Sequence, residues 1–193
     1  MNINEIKINT IGIAGVAGSG KDTFAEIIGK HFEASGRKVN FLSFATKLKQ
    51  EVAAVSKKLY DIDSTNCSRE EKNLIRPLLI AHGAIMRDKT QGQYWIDGIK
   101  NLIFCDKINI ITDVRYCEYE CDELNWIQSN NGIVVHITRF FEENGERIYI
   151  LPNNEHEKRN DKILKNKANY SFCWPTDVSK QKKYSDKFFK WLV

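Results

Sequence analysis

The sequence predicts an α/β fold, in which a parallel sheet is covered by helices on both faces. Short apolar runs alternate along the chain with segments of helical spacing, and a glycine cluster separates the first run from the first helical segment. The run INIIT at 108–112 is apolar throughout, which is typical of a strand buried on both faces. The 193 residues, 42% of them hydrophobic, predict a single domain over 1–193 with its own core.

Five strands and six helices are predicted from these patterns. The strands are expected at 7–14, 39–44, 108–112, 132–138 and 170–174. The helices are expected at 23–34, 46–59, 73–87, 94–104, 119–129 and 179–192, with Pro77 in the first turns of the third. The stretch 61–71 is predicted to be a loop, and 140–167 is predicted to be irregular and charged.

The composition excludes several classes of function. The net charge of +4 suits phosphate-bearing small molecules but is too small to indicate nucleic-acid binding, and no basic stripe with interleaved aromatic residues is present. No window of about 18 uncharged apolar residues occurs, so we expect no membrane partner. The N-terminal segment lacks signal-peptide features and the five cysteines are an odd number, so we expect reduced thiols and a cytoplasmic location. A homodimer is left open.

A phosphate-binding loop is predicted directly after the first strand. The segment from Gly15 to Lys21 fits the pattern G-x-x-x-x-G-K, and it stands between a strand and a helix, as that motif requires. Glycines allow the backbone N–H groups to turn inward, and the following helix directs its positive end at a bound anion. Lys21 adds a positive charge for the terminal phosphates. The predicted phosphate-binding residues are Gly15, Gly18, Ser19, Gly20, Lys21, Asp22 and Thr23.

Asp22 departs from the usual form of this loop, which has Ser or Thr after the lysine to bind Mg²⁺. Two interpretations stay open. The carboxylate of Asp22 holds a metal-bound water or caps backbone amides, or it only favours the first helical turn electrostatically. Thr23 is then the hydroxyl expected to contact a phosphate oxygen.

A second polar group follows the buried strand at 108–112. Asp113 stands at the carboxyl end of the predicted sheet, where it is placed to hold Mg²⁺ through water or to orient Arg115 or a substrate hydroxyl. A helix N-cap is the structural alternative for Asp113. Arg115 is expected to clamp a phosphate, and its alternative is a surface ion pair with Glu118.

Four segments together resemble the phage-type deoxynucleoside monophosphate kinases of the P-loop nucleoside monophosphate kinase superfamily. These segments are GSGKDT at 18–23, FATKLK at 44–49, RPLLIAHGAIMRDKTQGQYW at 76–95 and ITDVRYCE at 111–118. They span residues 8 to about 139, or two thirds of the chain. Thr46 and the pair Ala81-His82 depart from the family pattern, and the tail after Phe140 matches poorly. A related loop also occurs in animal phosphomevalonate kinases.

The resemblance implies a three-layer fold with five parallel strands in the order 2-3-1-4-5, and ATP and Mg²⁺ as cofactors. It implies an acceptor-binding helical segment at about 45–104 and a small lid at about 139–167. Arg87 is the first choice to bind the acceptor phosphate and Arg76 the second. Trp95 stacks on a base or belongs to the core, and Lys49 borders the acceptor or is only solvated. The expected substrate-binding residues are Phe44, Lys49, Arg76, Arg87, Trp95 and Arg115. The expected catalytic residues are Lys21, Asp113, Arg115 and Arg139, with Asp22 and Asp113 as metal ligands.

The expected function is therefore ATP-dependent phosphorylation of deoxynucleoside monophosphates to diphosphates, in the host cytoplasm if the protein is viral. Two alternatives remain. One is a kinase of a small phosphorylated metabolite such as phosphomevalonate, and the other is a nucleotide-binding module without transfer activity.

Overall fold

A computed structural model describes residues 8–192 of the chain. Residue 7, where the predicted first strand begins, and the N-terminal segment for which no signal peptide is predicted lie outside the described residues. The strands are β1 (Thr10–Ala14), β2 (Val39–Ser43), β3 (Ile108–Val114), β4 (Ile133–Glu143), β5 (Glu146–Tyr149) and β6 (Tyr170–Pro175). The helices are α1 (Lys21–Ala34), α2 (Phe44–Tyr60), α3 (Arg69–Thr90), α4 (Gln93–Asp97), α5 (Glu123–Ser129), α6 (Glu155–Lys167) and α7 (Val178–Leu192). A short 3-10 turn occupies Lys100–Leu102.

The predicted sheet order is confirmed. β2, β3, β1, β4 and β6 pair in parallel in that sequence, which is 2-3-1-4-5 when the strand at 170–174 is counted as the fifth. β1 lies between β3 and β4, so the glycine loop that follows β1 leaves the middle of the sheet. The carboxyl ends of all five strands meet at the same edge, where ligands bind in open α/β sheets.

The segment 140–167 is ordered, so the prediction of an irregular stretch is wrong. β4 runs on to Glu143, and β5 pairs with its end antiparallel as a hairpin that turns through Asn144 and Gly145. A 13-residue helix, α6, follows and is capped by the Asn154 side chain, which accepts from the Glu157 N–H. Local hairpin pairing and a helix cap explain why charged, weakly apolar sequence still forms these elements.

α3 is longer than predicted and begins earlier. The Ser68 side chain accepts from the Glu71 N–H at 3.1 Å, and the Glu71 carboxylate accepts from the Ser68 N–H at 2.8 Å. This capping box starts the helix at Arg69, so Pro77 lies in the helix interior rather than in its first turns. The predicted helix at 94–104 is in turn shorter, and only α4 and the 3-10 turn form there.

Two apolar clusters lie on opposite faces of the sheet. Along β1, Ile11 and Ile13 join the cluster under α1 and α7, whereas Ala14 joins the cluster under α4 and α5. Successive side chains of a strand point to opposite faces of the sheet. Because both faces are covered by an apolar cluster, the sequences of these strands are continuously apolar. Among the helices described over residues 8–192, none is long and apolar enough to cross a membrane.

The first cluster is the one that fixes α1 under the sheet. Phe24 of α1 is fully buried, and its ring centroid lies 5.3 Å from that of Phe172, 5.4 Å from Trp174 and 5.5 Å from Phe188. These contacts join α1 to β6 and α7, so the helix that carries the glycine loop depends on the end of the chain.

Replacing Phe24 by Ala is expected to lower the free energy of unfolding by about 3–5 kcal/mol, because it removes a buried ring and leaves a cavity. Urea denaturation followed by circular dichroism measures this change. Leu59→Ala on exposed α2 surface is the matched control, expected to stay within about 0.5 kcal/mol. A similar loss in both variants would contradict the packing described here.

Candidate active site

The glycine loop after β1 adopts a backbone that side chains would obstruct. Gly20 has φ of 83°, and a Cβ built on it would lie 3.0 Å from the Trp174 Nε1. Gly15 has φ of 142°, and its Cβ would lie 2.5 Å from the Ile137 carbonyl oxygen. Only glycine fits both constraints, so the loop passes close to β4 and β6 before α1 begins.

Lys21 is the first residue of α1, and its ammonium group binds two backbone carbonyl groups of the glycine loop. Its Nζ donates to the Gly15 carbonyl at 2.9 Å and to the Val16 carbonyl at 3.0 Å, and it lies 3.9 Å from Asp113 Oδ1. Burial lowers the pKa of Lys21, while the Asp113 carboxylate opposes that shift. The loop therefore holds a partly desolvated positive charge at its centre, where terminal phosphates bind in loops of this type.

Asp113 reaches this charge because β3 is irregular at its end. The register between β1 and β3 shifts between Gly12 and Ala14, and Asp113 has a left-handed φ of 62°. Its carboxylate accepts from the Ser43 hydroxyl at 3.1 Å and from Arg115 Nη2 at 3.1 Å. Burial acts to raise the pKa of Asp113, but Arg115 and Lys21 outweigh it and hold that pKa well below its usual range.

Arg115 links Asp113 to the helix α6. Its Nη1 lies 3.4 Å from Glu157 Oε1, and the same oxygen accepts from the Ala17 N–H of the loop at 2.8 Å. The other Glu157 oxygen accepts from the Asn153 N–H at 2.8 Å. A carboxylate from α6 therefore binds the loop amide and the arginine, the two kinds of donor that an anionic phosphate group uses. The ion pair between Arg115 and Glu118 that the sequence left open does not form, and Arg115 pairs with Asp113 and Glu157 instead.

Three polar atoms beside the loop are buried without a hydrogen-bond partner among the described residues. They are Ser19 Oγ, Arg139 Nε and Trp174 Nε1. Arg139 lies within β4 rather than directly after the fourth strand, where the sequence predicts it, and it donates from Nη1 to the Gly18 carbonyl at 3.3 Å. Unpartnered buried donors at a glycine loop fit the phosphate groups of ATP, which would supply the missing acceptors.

The two predicted metal ligands face different parts of the site. Asp22 is exposed in the first turn of α1 and lines a groove shared with Ser43 and Thr46, whereas Asp113 lies beside Lys21. Among residues 8–192 no group of three or more His, Cys, Asp or Glu side chains is placed to hold a metal ion. Mg²⁺ ordinarily takes one or two carboxylates plus phosphate oxygens, so Asp22 or Asp113 would hold the ion only where a nucleotide supplies the remaining ligands.

A pocket opens next to the loop, between the carboxyl edge of the sheet and α2, α3 and α6. Its apolar wall includes Phe44, Leu48, Leu79, Trp95 and Leu164. Phe44 and Trp95 thus lie where the sequence predicts a substrate, but both are also buried core residues. The Trp95 indole N–H donates to the Gly83 carbonyl at 3.2 Å, which fixes the ring against α3.

Four cationic side chains line the same pocket, three from α2 and α3 and the fourth being Arg115, together with the carboxyl groups of Asp113, Glu123, Glu157 and Asp161. Lys49 lies on α2, and Lys72 and Arg76 lie on one face of α3. Burial lowers the pKa of Lys72, and the like charges of Lys49 and Arg76 act in the same direction. The three helix cations lie close together on one side of the pocket, beside the glycine loop, and this side suits a second anionic group.

Arg87, the first choice for the acceptor phosphate, is not brought to this pocket. Its Nε and Nη2 donate to Asp122 at 2.9 and 2.8 Å, and Nη2 also donates to Glu118 at 3.0 Å. Its guanidinium lies between the rings of Tyr116 and Tyr119, 4.2 and 4.4 Å from their centroids. The side chain is only 5% exposed, so its donors are used within the protein and the geometry does not support the acceptor role.

Sequence reasoning missed three residues of the site: Lys72, Glu123 and Glu157. Lys72 precedes Arg76 by four residues, which places both on one face of α3, but the predicted helix began at 73 and therefore left Lys72 out. Asn154 and Glu157 have the spacing of an N-cap and the third helical residue, which was a usable signal for α6. Glu123 lines the pocket from α5, and no sequence pattern marks it.

Arg87→Met is expected to lower the free energy of unfolding by about 3–5 kcal/mol, because it leaves the buried Asp122 carboxylate without its cation. Acceptor KM of the folded protein is expected to stay unchanged. Denaturant unfolding and acceptor titration measure the two effects, with Arg76→Met as the control that should show the reverse pattern. A raised KM with unchanged stability in Arg87→Met would contradict the buried role of Arg87.

No protein-family model and no curated protein matches the chain. Solved structures similar to it include a shikimate kinase from Acinetobacter baumannii, at 12% identity and TM-score 0.47, covering 100% of this chain and 97% of that one. An APS kinase from Mycobacterium tuberculosis has 11% identity and TM-score 0.45, with 96% and 97% covered. A dephospho-CoA kinase from Campylobacter jejuni has 16% identity and TM-score 0.40, with 94% and 96% covered. Because these TM-scores are below 0.5, the fold is assigned from the strand order and register of the parallel sheet alone.

Proposed function

We propose that this protein is an ATP-dependent phosphotransferase that converts deoxynucleoside monophosphates to diphosphates. One observation carries the proposal. A glycine loop closed by buried Lys21 and a pocket lined by cations meet at Asp113 and Arg115. Phosphoryl transfer requires two anionic reactants to lie in line and close together, and this arrangement supplies a separate positive environment for each.

The loop is the donor side of the proposed site. Its N–H groups and Lys21 bind the β- and γ-phosphates of ATP. Arg139 reaches the same loop from β4, where it donates to the Gly18 carbonyl. Mg²⁺, when bound, would offset the charge that develops on the phosphate oxygens, with Asp22 or Asp113 as its protein ligand. Because these groups are already in position, catalysis is mainly electrostatic stabilisation and alignment.

The pocket is the acceptor side. Lys49, Lys72 and Arg76 bind the monophosphate, and Arg115 stands between the two sites. An acceptor phosphate oxygen would form a bond to the γ-phosphorus, the bond to the bridging oxygen would break, and ADP would leave. The apolar wall around Phe44 and Trp95 suits the flat body of a nucleobase.

The segment 139–167 is the proposed lid. Its hairpin carries Arg139, and α6 forms one wall of the pocket through His156, Glu157 and Asn160. Deoxynucleotides are supported as substrates by the resemblance of the segments at 44–49, 76–95 and 111–118 to the phage-type kinases. These segments supply much of the pocket wall and the Asp113–Arg115 pair.

Incubation with Mg-ATP and each common deoxynucleoside or ribonucleoside monophosphate is expected to give a diphosphate from at least one deoxynucleotide. Chromatography of the nucleotides measures it. Transfer to a non-nucleotide monophosphate such as phosphomevalonate, with none to nucleotides, would favour the metabolite kinase. ATP binding without any acceptor product would favour a nucleotide-binding module.

Lys21→Ala is expected to lower kcat by a factor of about 10² or more, because it removes the charge that stabilises the transferring phosphoryl group. Steady-state kinetics and thermal unfolding should be measured together, since Lys21 also holds the loop carbonyls. Lys30→Ala, on the exposed side of the same helix, is the control and should leave kcat unchanged. Near-normal turnover in Lys21→Ala would refute the assignment of the loop.

Lys72→Met is expected to raise the acceptor KM about tenfold and to leave the KM for ATP unchanged, because it removes a pocket cation but keeps the length of the side chain. Initial rates with either substrate varied separate the two constants. Lys58→Met, on the exposed side of α2, is the matched control. An acceptor KM equal to that of the wild type would place the acceptor outside this pocket.

A further inference from the structure

One pocket residue has no role in the chemistry described so far. Glu123 is the first residue of α5, is 5% exposed, and lines the pocket. Its Oε2 is buried and has no hydrogen-bond partner among the described residues. An unpartnered buried carboxyl oxygen costs free energy, and a bound ligand that supplied the partner would remove that cost.

Asp122, the acid that precedes Glu123, is not the missing hydrogen-bond partner of Glu123 Oε2, because its own oxygens are already used. The oxygens of Asp122 accept from Arg87 and from the backbone N–H groups of Glu118 and Tyr119, each at 2.8–2.9 Å. Burial and the Asp122 carboxylate raise the pKa of Glu123 to about 8. Near pH 7 the Glu123 carboxyl therefore mostly keeps its proton, and it can donate one hydrogen bond and accept another.

The pocket thus combines three chemistries. The cations on α2 and α3 suit an anionic group, and the apolar side chains suit a flat ring. The neutral carboxyl group of Glu123 suits a ring edge on which a hydrogen-bond donor stands beside an acceptor. Lactam and amidine edges of heterocyclic bases have that pattern. An aliphatic phosphorylated metabolite has no such edge.

We propose that Glu123 determines acceptor specificity by hydrogen bonding to the donor–acceptor edge of a heterocyclic base. This inference rests on the proposed function, because it takes the pocket to be the acceptor site. A site built to hydrogen-bond a polar group discriminates strongly against molecules that lack it, since its own buried group is then left unpaired.

Two variants test the role of the side chain. Glu123→Leu fills the space without a polar atom, whereas Glu123→Gln keeps a donor and an acceptor. For nucleoside monophosphates, Glu123→Leu is expected to raise the acceptor KM at least tenfold, and Glu123→Gln less than threefold. For deoxyribose 5-phosphate, which has no base, neither variant should differ from the wild type. Unchanged nucleotide KM in a folded Glu123→Leu protein would overturn the proposal.

The pH dependence of acceptor affinity distinguishes a binding role of Glu123 from a purely structural one. Acceptor affinity of the wild type is expected to fall as the pH rises through about 8, where Glu123 loses its proton, and Glu123→Gln should lack that step. The other titratable or charged groups that face Glu123 or share its pocket are Arg87, Asp122, Lys49, Lys72, Arg76, Asp113, Arg115, Tyr116, His156, Glu157 and Asp161. They are present in both proteins, so the difference between the profiles isolates Glu123. Identical profiles would overturn the proposal even if Glu123→Leu does not fold.

Stability gives an independent check on the same titration. The pKa of Glu123 is higher in the folded chain than the ordinary value of 4.5. Its contribution to the free energy of unfolding is therefore fully present below about pH 4.5 and is lost as the pH rises through about 8. Glu123→Gln should remove this decline. A wild-type decline that persists in Glu123→Gln would show that Glu123 does not titrate there.

Calorimetric titration of acceptors without ATP, combined with the product assay with Mg-ATP, separates this inference from the proposed function, because the titration measures binding independently of turnover. If nucleotides bind and are phosphorylated while Glu123→Leu matches the wild type, only the role of Glu123 fails. If deoxyribose 5-phosphate binds and reacts as well as nucleotides, base recognition fails and phosphotransfer stands. If no base-bearing monophosphate binds the wild type, both proposals are refuted.

Discussion

The candidate site depends on one buried charge. The Lys21 ammonium holds the Gly15 and Val16 carbonyls and faces Asp113, so it fixes the glycine loop and joins the ends of β1 and β3. Burial of this group is tolerated because two carbonyl oxygens and a carboxylate replace its water. Without that cation the loop carbonyls would lack their donor, and Asp113 would lose one of the two charges that keep it ionised.

The sheet topology explains why so few elements suffice to assemble this site. β1 lies between β3 and β4 in parallel, so the loop after β1, the bulge at Asp113 and the Arg139 side chain all emerge at one edge. The bulge turns Asp113 toward the loop, which a regular strand would not do. α2 and α3 then cover that edge with cations, and α5 and α6 contribute the remaining polar groups of the pocket.

The sequence pattern was sufficient to predict the parallel sheet and the glycine loop, because the first depends on local pattern and the second on a motif with fixed spacing. The strand order was predicted only through the resemblance to the phage-type kinases. The sequence was not sufficient for the arginines. Arg76 and Arg87 are both helical cations, and only tertiary structure shows that Arg87 meets buried Asp122 whereas Arg76 faces the pocket. The Glu157 contact with Ala17 joins residues 140 positions apart, so no local pattern could reveal it. The helix α6 was missed although its cap was present in the sequence.

The carboxylate of Glu157 occupies hydrogen-bond donors at the glycine loop that a phosphate group would also use. It already binds the Ala17 N–H and Arg115, so any phosphate that uses these donors must exchange with it rather than enter a vacant site. Because Glu157 belongs to the helix α6, its carboxylate is held beside these donors. A phosphate that made only these two contacts would replace Glu157 without adding a hydrogen bond, whereas a ligand with several phosphate groups would add contacts elsewhere in the loop.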